Sequence, residues 1–397
     1  MITLFIFWEL MVVTSVFLIL ARRTERARAA AMRYLLIQVL SGVILLSGVL
    51  IRAYETGSIA FDFIGWSGLS SSLILLAFGI KAAFPLLHNW LTDAYPEATV
   101  TGAVFLSAFT TKTAVYVLIR AYPGTEVLVW LGSAMALYGV IYAVLENDCR
   151  RLLAYHIVSQ VGYMVAGVGI GTEMALNGSA SHAFAHIIYK GLLFMGAGAV
   201  IHMTGRRKLT ELGGLYRTMP WTVALYMIGA FAISAFPFFS GFVSKSMVVA
   251  AAAGDHQAAV VLMLTVASSG TFLHTGLKLP YYMFFGRDCG LRPPEPPLNM
   301  LLAMGIAAVL CIGIGVLPGA LYALLPYPVD YEPYTGAHIT TSLGILMFTL
   351  LGFVVYLKAL DPEPTISLDT DWFYRRGARA FMWFAEKPVA GWEGALS

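Results

Sequence analysis

The stretch Leu73–Leu91, LILLAFGIKAAFPLLHNWL, has the apolar character of a membrane span, yet it carries Lys81 near its middle, Pro85 four residues later and His88 beyond that. An ionisable side chain at the centre of a span costs roughly 2.5–3.5 kcal/mol on insertion scales. A proline removes a backbone donor and frees carbonyls. In lipid, interrupted backbone survives only where protein buries it or where it lines a cavity. A second stretch has the same make-up: AISAFPFFSGFVSK (Ala232–Lys245) breaks around Pro237 and carries Lys245 after it. Interrupted helices in corresponding positions of two halves point to an inverted-repeat transporter with its pathway near mid-membrane.

The rest of the chain supports a membrane setting. Of its 397 residues, 59% are hydrophobic and 12% charged, against about a quarter charged in soluble domains. The expected fold class is therefore all-α, a polytopic membrane helix bundle. Runs of about 20 apolar residues place spans near 2–20, 34–52, 68–90, 99–121, 127–146, 152–171, 175–203, 219–251, 258–285, 298–325 and 338–359. That is about eleven transmembrane helices, with the broken ones third and eighth. Their odd offset inverts the second relative to the first, and the opposite order of lysine and proline in the two breaks suits that inversion. The domain expectation is an incomplete first repeat over 1–121, a second inverted repeat over 122–290, C-terminal spans over 291–360 and a cytoplasmic interfacial tail over 361–397.

Orientation follows from the loops. Ala21–Arg33, ARRTERARAAAMR, holds five arginines and should be cytoplasmic by the positive-inside rule. Alternation then puts NDCRR, GRRKLTELGGLYR, GRDCGLRPPE and the tail inside as well, with the N-terminus outside. Residues 1–20 lack the leading positive charges of a secretory signal and read as a retained span. Leu368–Lys387 mixes aromatics with arginines and is too charged to span. It reads as an amphipathic helix at the cytoplasmic interface, with a frayed tail as the alternative.

Several function classes drop out. Basic residues sit in short loops, so nucleic-acid binding is not suggested. The three cysteines, Cys149, Cys289 and Cys311, form no CxxC pair, which argues against a metal or iron–sulfur site. No GxGxxG follows a strand and no GxxxxGK[ST] occurs. No cofactor is expected, and the chain is not expected to be an enzyme by itself; energy must come from an ion gradient or a partner protein.

The ionisable residues inside the spans are Glu9, Lys81, Lys112, His182, His186, Lys190, Lys245, His274 and Lys278. His182, His186 and Lys190 are spaced by four and share a helix face. His274 and Lys278 are also four apart but near a span end, where snorkelling is an equal reading. For Glu9, Lys81 and Lys112 the plainer alternative is a structural ion pair, and for His182 a hydrogen-bonded core histidine. Burial favours the neutral form of a lysine and a nearby carboxylate favours the charged form, so a Glu9–Lys81 pair whose separation changes can gate a proton. Histidine, with an ordinary pKa near 6.5, suits the relay between such lysines. Glu9 is nearly the sole acidic residue in the spans, and no dedicated cation cage is visible.

Four blocks in one order resemble the antiporter-like membrane subunits. These are AFGIKAAFPLLHNWLTDAYPEATVTGAVFLSAFTTKTAVYVLIR (77–120), RRLLAYHIVSQVGYM (150–164), SHAFAHIIYKGLLFMGAGAV (181–200) and FPFFSGFVSK (236–245). That family includes the D subunit of Mrp-type sodium/proton antiporters, proton-pumping subunits of respiratory complex I and subunits of membrane-bound hydrogenases. The resemblance covers roughly residues 1–290. It implies a proton relay in which Glu9 of FWEL pairs with Lys81, Lys112 of TKTAVY connects the halves, His186 and Lys190 lie on a central axis, and Lys245 is terminal. A lysine there, and the tail, lean toward the Mrp type. Family members carry several helices before the glutamate-bearing one. With Glu9 nine residues from the start, about four leading helices are expected from another polypeptide or from an upstream start site, or this chain is a degraded relative.

The resemblance implies a subunit of a multisubunit Na+/H+ antiporter in the plasma (inner) membrane, with a second antiporter-like chain among its partners and protons and Na+ as its ions. The alternatives are the proton-pumping arm of an NADH:quinone oxidoreductase or hydrogenase complex, a non-conducting scaffold, or the membrane partner of a bicarbonate-uptake system.

Overall fold

The computed structural model describes residues 1–364 and 368–384. Among them the regular structure is helical, with one isolated bridge between Asp148 and Lys208. The helices are α1 (Ile2–Leu20), α2 (Glu25–Thr56), α3 (Gly68–Ala82), α4 (Asn89–Glu97), α5 (Val100–Ala121), α6 (Glu126–Leu145), α7 (Cys149–Ile170) and α8 (Glu173–Thr204). They continue with α9 (Pro220–Ile233), α10 (Ser240–Gly254), α11 (Ala258–Thr271), α12 (Leu298–Val316), α13 (Pro318–Tyr322), α14 (Gly336–Val355) and α15 (Asp371–Phe384). α11 runs on as π-helical turns over Phe272–Lys278 and Tyr281–Phe285.

Nine helices among the described residues are long and apolar enough to cross a membrane. The broken pairs α3/α4 and α9/α10 complete the eleven spans expected from the sequence. The chain is a multi-pass membrane protein. Large side chains such as Phe7, Ile306 and Phe348 are exposed along the outer faces of α1, α12 and α14, where lipid rather than water suits them.

Two boundaries differ from expectation. The arginine-rich segment read as a loop is helical from Glu25, because Thr24 caps the helix by accepting from Ala27 N and alanine and arginine are strong helix formers. The span expected to reach residue 325 stops at Val316, since the residue before Pro318 is steered out of helical geometry; α13 then starts with that proline.

The two breaks share one backbone structure. In the first, Ala83 and Leu86 are left-handed at φ 63 and 70; in the second, Ala235 and Phe238 are left-handed at φ 57 and 72. In both, the left-handed residues are the alanine that opens an Ala-Phe-Pro tripeptide and the residue that follows its proline. Phe84 N donates to Gly79 O at 2.9 Å, and Phe236 N to Phe231 O at 3.1 Å. Left-handed backbone costs a non-glycine residue roughly 1–2 kcal/mol, so packing must hold both breaks. The inversion is thus carried by a repeated break and an odd span offset. The order of lysine and proline does not carry it, because Lys81 and Lys245 attach to the shared break at non-equivalent positions.

Charged residues gather at one face. Arg207 bonds Glu97 at 2.8 Å and Asp148 at 2.7 Å, and Arg33 pairs with Asp93 at 2.5 Å. Buried Arg150 donates to Ala98 O at 2.8 Å and Thr99 O at 3.2 Å, closing the turn between α4 and α5. On the same face Arg292, with Arg217, holds the Asp288 carboxyl well below the usual carboxylate range.

The C-terminal unit, which begins at Thr365, contains α15 among its described residues. Arg375, Arg376 and Arg379 fall between the aromatics Trp372 and Phe373 on one side and Phe381 and Trp383 on the other, and the helix is amphipathic, as expected. Residues 385–387 of the expected helix lie outside the described residues.

Candidate proton-relay site

The structure brings the seven candidate residues into two groups. The first lies where α1, α2 and α3 meet. Lys81, at the end of α3 and almost fully buried, donates to Trp8 O at 3.3 Å and sits 4.1 Å from the centroid of the Trp8 ring. The Trp8 carbonyl and indole face thus receive the ammonium, a cation–π arrangement that gains strength on desolvation. Trp8 is fixed in turn, its Nε1 donating to Ser41 Oγ at 3.3 Å, and Ser41 to Ala77 O at 2.9 Å. Glu9 is near enough to Lys81 for their opposite charges to attract. Its Oε1 is buried without a hydrogen-bond partner and rests where a Cβ on Gly42 of α2 would stand.

The second group lies where α5, α7, α8, α10 and α11 meet. Lys112 donates to Ser107 O at 2.7 Å and Thr111 Oγ1 at 3.2 Å. Its charge acts on His182, His186 and Lys190. On α8, Lys190 Nζ lies 3.1 Å from His156 Nδ1. His156 Nε2 reaches Thr271 Oγ1 at 3.2 Å, and Gln160 Nε2 donates to the same hydroxyl at 3.4 Å. Gln160 Oε1 is 3.2 Å from His182 Nε2, and His182 Nδ1 is 3.3 Å from Ser244 Oγ, one residue before Lys245. Lys245 sits 5.4 Å from the Tyr163 ring centroid and 3.5 Å from Ile233 O, a carbonyl at the second break. His186 is fully buried with neither ring nitrogen hydrogen-bonded, its ring 6.2 Å from that of His182. Leaving a buried imidazole unpaired is costly, which marks it as a relay candidate rather than a packing residue.

Pro85 and Pro237 sit inside the two breaks, and each frees carbonyls beside a lysine. Among the described residues no hydrogen bond or ion pair joins the two groups.

Sequence reasoning missed His156, Gln160 and Thr271. A histidine and a glutamine four apart inside the apolar run LLAYHIVSQVGY carried the signal, since that spacing puts both on one face. It left His274 and Lys278 undecided. His274 is fully buried, its ring 4.9 Å from that of His156. Lys278 is almost fully buried and donates to Val144 O at 2.5 Å, close enough to Glu146 and Asp361 to feel their charge. Neither snorkels. The π-helical turns that carry both residues recur at functional sites in helices.

The family model described as NADH:quinone oxidoreductase/Mrp antiporter, TM, matches residues 1–271. The chain belongs to this family. Hydrogenase-4 component B of Escherichia coli is 30% identical over 78% of this chain and 52% of its own length. The D subunit of the Na(+)/H(+) antiporter of Alkalihalophilus pseudofirmus is 30% identical over 72% of this chain and 62% of its own. The chain thus spans about half to three-fifths of these relatives. Among solved structures, the Mrp complex of Dietzia sp. DQ12-45-1b holds a chain with TM-score 0.73 and 26% identity, over 86% of this chain and 75% of that one. A chain of an archaeal membrane-bound sulfane sulfur reductase shares the fold at TM-score 0.74 and 23% identity. The family match ends at Thr271, the last residue of α11, so His274 and Lys278 on the π-helical turns beyond it fall outside the match.

Proposed function

We propose that this chain is the proton-translocating subunit of a multisubunit monovalent cation (Na+)/H+ antiporter. The observation that carries the reading is the buried series from Lys190 through His156, Thr271, Gln160 and His182 to Ser244 beside Lys245. Histidines and lysines exchange protons, while Thr271 and Gln160 set ring orientation and tautomer. In the first group, movement of the Glu9 carboxylate toward or away from Lys81 changes which of them holds the proton. Lys81 passes it to Lys112, and from there to His186 and Lys190.

On this reading the chain works with other membrane subunits, including a second antiporter-like chain, in the plasma (inner) membrane. The arginine-rich face is cytoplasmic and the N-terminus lies outside. Its halves are 1–121 and 122–290, followed by C-terminal spans to 360 and the tail from 361. The likeness to hydrogenase-4 component B supports a second reading, a proton-pumping arm of a redox complex.

The test is a mild-detergent pull-down of the full chain, followed by proton flux in vesicles of the recovered complex. Small hydrophobic subunits with sodium-driven proton exchange support the first reading. Redox subunits with electron-driven pumping replace it with the second. A complex that moves no protons under either drive leaves the scaffold reading.

A further inference from the structure

α2 and α8 match in length and in both caps. Each has 32 residues. Thr24 and Thr172 cap their starts, accepting from Ala27 N and Ala175 N, and left-handed Gly57 and Gly205 follow their ends. In that register Tyr34, Gln38 and Gly42 of α2 stand where His182, His186 and Lys190 stand on α8. The neighbours match as well. Ser15 of α1 bonds the Tyr34 hydroxyl at 2.7 Å, and Tyr163, at the corresponding place on α7, has its ring 5.9 Å from that of His182.

Gln38 is 1% exposed, and neither polar atom of its amide has a hydrogen-bond partner. His186, its counterpart, is buried with both ring nitrogens unpaired. A buried amide left unpaired is costly, so packing alone does not account for a glutamine at this place. A second unpaired atom lies on the same face of α2. Glu9 Oε1 is buried without a partner and rests where a Cβ on Gly42 would stand. Cβ atoms four residues apart on a helix are about 5–6 Å from one another. Each leans toward the N-terminus of its helix, so the seat at Gly42 leans toward the turn that carries Gln38. Both side chains are long and unbranched, and rotation within them spans that gap without backbone movement. Their chemistry is complementary: a carboxylate only accepts, and the glutamine Nε2 donates.

We propose that Gln38 is the second seat of the Glu9 carboxylate. Turned toward Lys81, the carboxylate holds the proton on the ammonium. Turned toward Gln38, it accepts from Nε2 and leaves Lys81 free to pass its proton on. Gln38 is a positioning residue: it acts through Glu9 and takes no proton itself. This rests on the proton-relay reading above and gives the movement of Glu9 a destination.

The experiment is infrared spectroscopy of the assembled complex in vesicles, with proton flux measured on the same samples. The difference between the unmodified complex and Glu9→Gln picks out the Glu9 carboxylate band. Gln38→Leu, close in volume and without polar atoms, should shift that band. It should also lower flux about tenfold, the effect on the barrier of one lost hydrogen bond to a charged group, with no fall in melting temperature. Added to Glu9→Gln, it should lower flux no further, because the two groups act as one unit. An unmoved band overturns the proposal. So does a multiplied loss in the double variant, which a merely structural role gives, and so does a raised melting temperature with normal flux. If Gln38→Leu does not assemble, Gln38→Asn keeps the amide but draws it back by one methylene, and the same band reads the change. If the unmodified complex moves no protons, the relay reading fails on its own while the band still reports the seat. If it moves protons and the band stays in place, the role of Gln38 alone falls.

Discussion

The carboxylate of Glu9 occupies the space that a methyl group on Gly42 would fill. A single absent side chain on α2 therefore sets where the one acidic group of the relay rests. Gly42→Ala should push the carboxylate out of its seat and lower proton flux about tenfold, the effect of roughly 1.4 kcal/mol on the barrier. The complex should still assemble, because the added atom meets a side chain and no backbone. Normal flux in vesicles at equal expression would show that the seat does not matter.

Lys81→Ala should abolish cation-coupled proton movement, since it removes the proton carrier beside the first break. Glu9→Gln should impair flux strongly yet leave assembly intact, because the carboxylate tunes a neighbouring charge rather than filling the core. Blue-native gels and dye-quench flux assays read the two effects separately. Loss of the assembled band in Glu9→Gln would instead assign Glu9 to a structural ion pair.

His156→Ala takes away the partner 3.1 Å from Lys190 and should lower flux by about 10²-fold, as removal of one proton-transfer group does. His274→Ala should add little on top of it, because the two rings are in contact and act in series. Multiplied losses in the double variant would mean that the two histidines serve separate routes.

Arg150→Met should cost stability rather than transport chemistry. It leaves the carbonyls of Ala98 and Thr99 without their buried donor, roughly 2–5 kcal/mol in all. A lower melting temperature of the purified complex in detergent, with residual flux per assembled complex kept, is the expected pattern. An unchanged melting temperature would mean that the turn between α4 and α5 holds without the arginine.

The eleven spans were legible because hydropathy reports directly on what a bilayer tolerates. The breaks were legible because proline and lysine stand out in apolar runs. The partners of each charge were harder to read. Gly42 gave no signal, since its role is the absence of a side chain opposite Glu9, a contact set by how α1 and α2 pack. Thr271 is polar but ordinary in sequence; only the approach of α11 to α7 makes it the meeting point of His156 and Gln160. Lys278 lay where a span-end lysine has two readings, and the packing of α11 against α6 decided for burial.

The Ala-Phe-Pro breaks carry one further lesson. Four residues before the proline stands Lys81 in the first copy and Ile233 in the second; eight residues after it stands Asp93 in the first and Lys245 in the second. A scaffold with matching hinges and matching charges would look the same to an ion arriving from either side. By charging the two copies unequally, this sequence turns a palindrome into a sentence with a direction: the order of groups read from one membrane face differs from the order read from the other.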